Sequence, residues 1–225
     1  MRRLHRSLTI AALIVVLTAS AWAQNQHPVT GREYAGVMGA GGADWLVRPE
    51  RSEEEQPDKA IALLGIAKGA TVADIGAGNG YMTWRLAERV GPTGKVYAND
   101  IQPEMLQMLR ENMLQRKLKN VETVLGKFDD PKLPANTMDL VLLVDVYHEF
   151  NAPQQMLRGI REALKPDGRL VLLEYRGEDP SVPIRPEHKM TVAQVRAELE
   201  PEGYRVDRVL EDLPRQHVLI FKKTP

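Results

Sequence analysis

A glycine-rich stretch from Asp74 to Gly80, with the pattern D-x-G-x-G-x-G, constrains the fold of this chain more than any other feature. A short β-rich run precedes it, and a helical pattern over residues 82–90 follows it. The stretch therefore predicts a strand, a tight loop and a helix in succession. Because Gly76, Gly78 and Gly80 leave the loop without side chains, a ligand can lie against its backbone. The carboxylate of Asp74, at the end of the strand, suits a ligand that carries an amino group or a positive charge.

Two ligand classes are compatible with such a loop, and the glycine spacing favours one of them. The dinucleotide fingerprint G-x-G-x-x-G requires a glycine where this sequence has Tyr81. A bulky residue at that position obstructs the close helix–strand packing that the third glycine permits, which disfavours an NAD site. The pattern D-x-G-x-G-x-G is matched in full. A glycine-rich turn without a ligand is the third interpretation, and the strand–loop–helix context argues against it.

An acidic residue at the end of the next predicted strand supports a nucleotide-type ligand. Residues 95–100 read as that strand, and it ends on Asp100, 20 residues after Gly80. A βαβ nucleotide site places at this distance the carboxylate that accepts hydrogen bonds from ribose hydroxyls. Ile101 follows directly, where an apolar side chain can cover one face of an adenine.

The composition limits the partners and the chemistry. A chain of 225 residues is long enough for one α/β domain with a sizeable core. Its 30 basic and 30 acidic residues cancel, so no overall basic field indicates nucleic acid, and we expect a small-molecule substrate. The absence of cysteine excludes disulfides, thiolate catalysis and cysteine-based zinc sites.

The first 23 residues have the three parts of a secretory signal peptide. Residues 1–6 are basic, residues 8–19 are apolar, and residues 21–23 form an A-x-A cleavage site. We expect cleavage after Ala23, export to the periplasm or the medium, and no stable membrane insertion afterwards; an uncleaved anchor is the alternative. Residues 24–51 then form a flexible segment that is either a lid over the site or a strap on the surface.

Four features together resemble the class I S-adenosylmethionine (SAM)-dependent methyltransferases, and in particular the ubiquinone and menaquinone biosynthesis methyltransferases. They are the D-x-G-x-G-x-G loop, Asp100, the apolar strand before Asp145, and an expected turn after a helix, with the sequence L-K-P-D-G at residues 164–168. The resemblance assigns residues 52–225 to one methyltransferase domain. It implies a Rossmann-like, doubly wound α/β sheet of seven strands in the order 3-2-1-4-5-7-6, with the last strand antiparallel.

The same resemblance implies SAM as the cofactor and identifies the residues expected to bind it. In this family an acidic residue soon after the glycine that follows the third strand usually meets the adenine amino group. Here Lys127 directly follows Gly126, and Asp129 is the candidate. The expected cofactor-binding residues are Asp74, Gly76, Gly78, Gly80, Asp100, Ile101, Asp129 and Asp145.

The end of the fourth predicted strand carries the candidates for catalysis. Residues 138–144 form an unbroken apolar run, which is typical of a strand buried on both faces of a parallel sheet. Ligands of such sheets bind beyond the carboxyl ends of the strands. We therefore expect His148 to act as a general base, with Tyr147 beside it. No metal site is predicted, although Asp145, His148 and Glu174 are a weakly supported alternative.

The favoured function is therefore methyl transfer from SAM to a small-molecule acceptor by direct displacement. The alternative is an exported module that binds an adenosyl ligand without methyl transfer, because SAM is made in the cytoplasm while the signal peptide directs the chain out of it. An NAD-dependent oxidoreductase is the third, disfavoured possibility. Neither the acceptor nor the oligomeric state can be read from the sequence.

Overall fold

One mixed β-sheet with helices on both faces organises the structure, a computed structural model that describes residues 25–224. The predicted signal peptide lies outside this range. The strand order is β3-β2-β1-β4-β5-β8-β7, and the short β6 pairs with the end of β5. The strands are β1 Thr71–Ile75, β2 Lys95–Asp100, β3 Val121–Leu125, β4 Met138–Val144, β5 Leu164–Arg176, β6 Lys189–Met190, β7 Tyr204–Leu210 and β8 Gln216–Lys223.

The observed topology confirms the expected one. Strands β1 to β5 are parallel to one another, and β8 runs antiparallel between β5 and β7. Because the two-residue β6 is counted, the strands predicted as the sixth and seventh are numbered β7 and β8. Their positions in the sheet are those predicted. The order reverses between β1 and β4, so the carboxyl ends of these strands open a crevice in which ligands of such sheets bind.

In the part of the chain that the structure describes, six α-helices connect and cover the strands. Gly91, with φ of +73°, follows the last residue of the helix after β1. Proline stands at the first position of the helices after β2 and β4, where its missing N–H costs no helical hydrogen bond. The helices are α1 Arg51–Glu55, α2 Pro57–Leu63, α3 Thr83–Val90, α4 Pro103–Gln115, α5 Pro153–Ala163 and α6 Val192–Leu199, and 3₁₀ turns occur at Ala40–Val47, Tyr147–Glu149, Pro186–His188 and Glu200–Glu202.

Strand β4 lies at the centre of the hydrophobic core and is buried on both faces, as its apolar run predicts. Val141 and Leu143 pack in the cluster that includes α5, whereas Leu140 and Leu142 pack in the cluster that includes α3. Each such side chain, fully buried, stabilises the fold by about 1.5–3 kcal/mol relative to an exposed position. This rigid strand carries the residues that follow it into the crevice.

The start of β5 differs from the prediction. The sequence predicts a turn at residues 165–168, but β5 begins at Leu164, directly after α5. The register between β4 and β5 shifts between Met138 and Leu140, so the extra residues bulge outward and Pro166 is exposed. Gly168 fits this bulge because a Cβ there would lie 2.7 Å from the Met138 carbonyl oxygen.

Within residues 25–224, none of the helices combines the length and the apolar character needed to span a bilayer.

Candidate functional site

The glycine loop after β1 adopts a backbone that other residues rarely adopt. Gly76, Gly78 and Gly80 have φ of +69°, +54° and +91°. A Cβ on Gly76 would overlap Val146 Cγ2, and one on Gly78 would lie 2.7 Å from Leu46 Cδ1. Gly76 and Gly78 are therefore required for two reasons: their backbone is left-handed, and neighbouring side chains leave no space for a Cβ.

Asp100, at the carboxyl end of β2, is hydrogen-bonded to this loop. The Gly78 N–H donates to its Oδ2 at 2.9 Å, and the Gln102 N–H donates to its Oδ1 at 2.9 Å. Burial raises the pKa of Asp100, while these backbone hydrogen bonds act in the opposite direction. A carboxylate accepts about four hydrogen bonds, so each oxygen retains capacity for a ligand hydroxyl.

A single cavity of about 620 Å³ connects the glycine loop with the residues that follow β4. This volume lies within the range of about 300–1,000 Å³ that is typical of small-ligand sites. Gly76, Gly78, Asp100 and Ile101 line one end of it. The other end is lined by Asp145, His148, Glu149, Phe150, Ile184 and His188.

Asp145, at the carboxyl end of β4, is half-buried. It has φ of +51°, and its Oδ2 accepts a hydrogen bond from Gln216 Nε2 at 2.7 Å. Among the described residues, Oδ1 has no hydrogen-bond partner. Burial, followed by the charges of Glu55 and Glu174, raises the pKa of Asp145 well above its usual range. A ligand with a cationic donor would satisfy this oxygen and relieve the electrostatic cost.

His148 and Glu174 form a buried pair at the opposite side of the crevice. His148 Nδ1 lies 2.6 Å from Glu174 Oε2, and Glu174 Oε1 accepts the Tyr147 N–H at 2.9 Å. Burial lowers the pKa of His148, but the charge and the hydrogen bond of Glu174 outweigh it and hold the pKa above its ordinary value. His148 Nε2 is directed to His188 Nδ1, 3.2 Å away. Burial raises the pKa of the neighbouring Glu149 to about 7.

Comparison with known proteins shows which family this arrangement represents. A family model described as a methyltransferase domain matches residues 66–211, well over half of the chain. This chain belongs to that methyltransferase family. The crystal structure of a SAM-dependent methyltransferase from Aquifex aeolicus is similar, with a TM-score of 0.77 and 30% identity over 82% of this chain and 98% of that one. Membership identifies the chain as a methyltransferase and SAM as its cofactor.

Curated proteins that are similar to part of this chain include ubiquinone/menaquinone biosynthesis methyltransferases. The ubiquinone/menaquinone biosynthesis C-methyltransferase UbiE of Hahella chejuensis is 35% identical over 125 residues, which cover 55% of this chain and 49% of that protein. The UbiE of Escherichia fergusonii is 35% identical over 116 residues, or 51% of this chain and 46% of that protein. The chain thus spans about half the length of the curated relatives it matches.

The cavity of the methyltransferase fits the cofactor's chemistry. Asp100 offers acceptors at the distance from the glycine loop that ribose hydroxyls need, and Ile101 provides an apolar surface beside it. Asp145 Oδ1 is an unpaired acceptor of the kind that the ammonium group of a methionine moiety requires. Polar groups therefore stand at both ends of the cavity.

Asp74 and Gly80 do not line this cavity, and their contact with the cofactor stays a prediction. Asp74 is buried beneath the loop, where Thr83 Oγ1 donates to its Oδ2 at 2.6 Å. Burial raises the pKa of Asp74 to about 7. A Cβ on Gly80 would lie 3.0 Å from Leu109 Cγ, so this glycine allows α4 to pack against the loop. Both residues shape the loop from behind.

The expected adenine contact of Asp129 also stays a prediction, and the cavity gives it no support. Asp129 is exposed and does not line the cavity. Lys127 and Phe128 line it instead, because Lys127 and Asp130 pair in an isolated bridge and the intervening turn directs the Asp129 side chain to solvent. The sequence carries no signal that distinguishes these neighbours, since all of them belong to one short turn.

Tyr147, expected beside the reacting groups, lies instead in the core. Its hydroxyl donates to Glu198 Oε2 at 2.9 Å, and Glu198 also pairs with Arg32 Nε at 2.9 Å. Because Tyr147 and His148 are adjacent on one 3₁₀ turn, they point in different directions. We therefore do not retain Tyr147 as a catalytic candidate.

The N-terminal strap, defined here as residues 25–50, covers the cavity rather than lying elsewhere on the surface. Arg32 Nη1 and the Ala35 N–H both donate to the His148 carbonyl oxygen, at 2.9 and 3.1 Å. Further along, Gln102 Nε2 donates to the Met38 carbonyl oxygen at 3.0 Å. Strap residues that line the cavity are Gly36, Val37, Met38, Trp45, Leu46 and Arg48. Of the two predicted alternatives, a lid over the site and a strap on the surface, this position corresponds to the lid. The Arg32–Glu198 ion pair that anchors the segment had no sequence signal.

The structure also shows the hydrogen-bond partners of Asp145, His148 and Glu174, the residues of the alternative metal site. Glu174 uses one oxygen for His148 and the other for the backbone, and Asp145 is bonded to Gln216. Both oxygens of Glu174 are therefore bonded within the protein, whereas Asp145 Oδ1 has no partner among the described residues and His148 Nε2 faces a different set of side chains.

Proposed function

We propose that this protein transfers the methyl group of SAM to a hydroxyl group of a small-molecule acceptor. The observation that carries the proposal is the single cavity that runs from the glycine loop to the buried His148–Glu174 pair. One ligand can occupy the loop end while a second occupies the histidine end, within reach of each other. Direct displacement at a methyl group needs this alignment more than any other contribution.

The cofactor half of the proposal assigns a role to each polar group. Asp100 accepts the ribose hydroxyls, and Ile101 covers the adenine. The backbone of Gly76 and Gly78 lies against the adenosyl group, and Asp145 Oδ1 receives the ammonium group. Bound by these residues, SAM would supply an electrophilic methyl group to an acceptor held near the residues after β4.

The acceptor half rests on the orientation of His148. Glu174 holds the proton of His148 on Nδ1, which leaves the lone pair of Nε2 directed into the cavity. In the reaction, the acceptor O–H proton passes to Nε2, the oxygen forms a bond to the methyl carbon, and the carbon–sulfur bond breaks with its electron pair remaining on sulfur. The products are the methylated acceptor and S-adenosylhomocysteine. A positioned base of this kind contributes a factor of about 10²–10⁴.

The test is release of S-adenosylhomocysteine by residues 24–225 with a panel of phenolic, catecholic and aliphatic hydroxyl compounds. We expect turnover with at least one class, and a loss of kcat of about 10²-fold or more in His148→Gln with little change in SAM affinity. The matched control is His217→Gln, because His217 lies outside the cavity between Glu178 and Glu211. SAM binding without turnover on any acceptor would contradict methyl transfer and favour the binding module.

We also propose that the protein acts outside the cytoplasm, on the strength of the signal-peptide pattern of residues 1–23. Fractionation of cells that express the whole chain, followed by sequencing of the mature N-terminus, tests this. We expect exported protein that begins at Gln24. Full-length protein confined to the cytoplasm would refute export and would remove the question of how SAM reaches the site.

A further inference from the structure

Three side chains with metal-binding chemistry meet at the acceptor end of the cavity. His148 and Glu149 come from the 3₁₀ turn after β4, and His188 comes from the 3₁₀ turn Pro186–His188 after β5. One donor atom of each lies within 4.8 Å of the other two. We call these three residues the His–Glu triad. It is distinct from the trio that the sequence suggested, since Asp145 and Glu174 are not part of it.

The spacing of the two imidazoles suits a shared cation. His148 Nε2 and His188 Nδ1 are 3.2 Å apart. Two nitrogens bound to a tetrahedral Zn²⁺ at about 2.0–2.1 Å stand about 3.3 Å from each other. A direct hydrogen bond between the two rings would lie at the long end of the usual range, about 2.7–3.2 Å. A small inward movement of the Glu149 carboxylate would complete a set of two histidines and one carboxylate.

Glu174 supplies the outer support that metal-binding histidines usually have. It accepts the proton of His148 Nδ1 at 2.6 Å and is itself fixed by the Tyr147 N–H at 2.9 Å. This carboxylate–histidine contact selects the tautomer whose Nε2 lone pair is free to bind a cation. The ring of His148 is buried, so the lone pair has a fixed direction.

The charge balance and the access also fit a cation. Among residues 25–224, no lysine or arginine forms an ion pair with Glu149. A cation at the triad would therefore meet the Glu149 carboxyl without a competing basic side chain. All three members of the triad line the same cavity, so a further coordination position would face the acceptor. Three protein ligands with one open position are typical of catalytic rather than structural zinc.

We propose that the His–Glu triad binds a divalent transition-metal cation of the zinc class, through His148 Nε2, His188 Nδ1 and the Glu149 carboxylate, with an open position toward the acceptor. The ligand set of two imidazoles and one carboxylate suits zinc, iron and cobalt better than calcium or magnesium, which prefer oxygen ligands.

One consequence rests on the proposed function. An acceptor hydroxyl bound at the open position loses its proton to water more easily, because the cation stabilises the oxygen anion. The oxygen then forms its bond to the methyl carbon, and sulfur keeps the electron pair of the broken carbon–sulfur bond. In this metal-loaded form Nε2 is a ligand, so the cation replaces His148 as the group that activates the acceptor.

The test is titration of metal-stripped protein, residues 24–225, with Co²⁺ followed by visible absorption and with Zn²⁺ followed by calorimetry. We expect one equivalent to bind, with the intense visible bands of low-coordinate Co²⁺. His188→Ala and Glu149→Gln should each weaken binding by at least about tenfold, since each removes one of three ligands. His217→Gln is the control, because this histidine also contacts two carboxylates but lies outside the cavity.

The outcomes separate this proposal from the proposed function. Circular dichroism verifies that each variant is folded, and SAM affinity measured in parallel reports on the adenosyl end. Protein that binds SAM but no cation, or whose cation affinity falls in His217→Gln and not in His188→Ala, overturns the metal site alone. Protein that binds the cation but not SAM overturns the proposed function and leaves the metal site standing.

Discussion

Asp74 makes the stability of this protein depend on pH, and Asp74→Asn should remove that dependence. The side chain is only 2% exposed, and its one described side-chain hydrogen bond comes from Thr83. Burial raises the pKa of Asp74 from 3.8 to about 7. Folding therefore favours the protonated acid over the carboxylate.

The sign and the size of the effect follow from this shift. Below about pH 4 Asp74 is protonated in both the folded and the unfolded chain, so its ionisation contributes nothing to stability. As the pH rises toward 7, the unfolded chain ionises first, and the free energy of unfolding falls. A shift of about three pKa units corresponds to at most about 4 kcal/mol, reached at pH values above about 7.

The assay is urea denaturation of the wild type and Asp74→Asn between about pH 5 and about pH 8, with the exposed Asp129→Asn as control. The asparagine side chain itself changes the free energy of unfolding by an amount that does not depend on pH. The diagnostic quantity is therefore how the difference in unfolding free energy between the two proteins changes with pH. We expect that difference to move in favour of Asp74→Asn by roughly 2–4 kcal/mol across this range. A pH-independent difference, or one that moves in favour of the wild type, would refute the buried, raised-pKa acid.

Two further predictions concern the glycine loop and Tyr147. Gly78→Ala should lose about 1–3 kcal/mol of stability and weaken SAM binding at least about tenfold, because a Cβ at φ of +54° would also press on Leu46. Gly65→Ala is the matched control, because Gly65 has φ of +57° but a Cβ there would have no atom within 4 Å. In this variant, denaturation should show only the backbone cost of about 1 kcal/mol, and calorimetry should show unchanged SAM affinity. Tyr147→Phe should lower the free energy of unfolding by about 1–3 kcal/mol, because the hydrogen bond to Glu198 is lost, and should leave kcat unchanged. A loss of kcat as large as that expected for a catalytic base would show that Tyr147 takes part in the reaction.

Local patterns were sufficient for most of the fold. The predicted limits of β2 and β4 agree with the structure, since a β-rich or apolar run defines each strand. The positions of Gly76, Gly78 and Asp100 around one cavity were also predicted, because the loop motif and the strand-end acid stand at a fixed separation in sequence.

Side-chain direction in short turns was not predictable in the same way. Tyr147 and His148 are neighbours in sequence, and only the tertiary position of their 3₁₀ turn decides which one reaches the cavity. The same holds for Phe128 and Asp129. The approach of His188 to His148 joins segments 40 residues apart, a distance over which no periodicity or motif operates.

The most direct test of the account is calorimetric titration of residues 24–225 with SAM and with S-adenosylhomocysteine, in the wild type, Asp100→Ala and Asp129→Ala. Loss of a hydrogen bond to a charged group costs about 1.5–3 kcal/mol, so Asp100→Ala should weaken binding by roughly 10- to 150-fold. Asp129→Ala should bind as the wild type does, because its side chain is exposed and outside the cavity. Folded wild-type protein that binds neither ligand, or that loses binding in Asp129→Ala and not in Asp100→Ala, would contradict the adenosyl site.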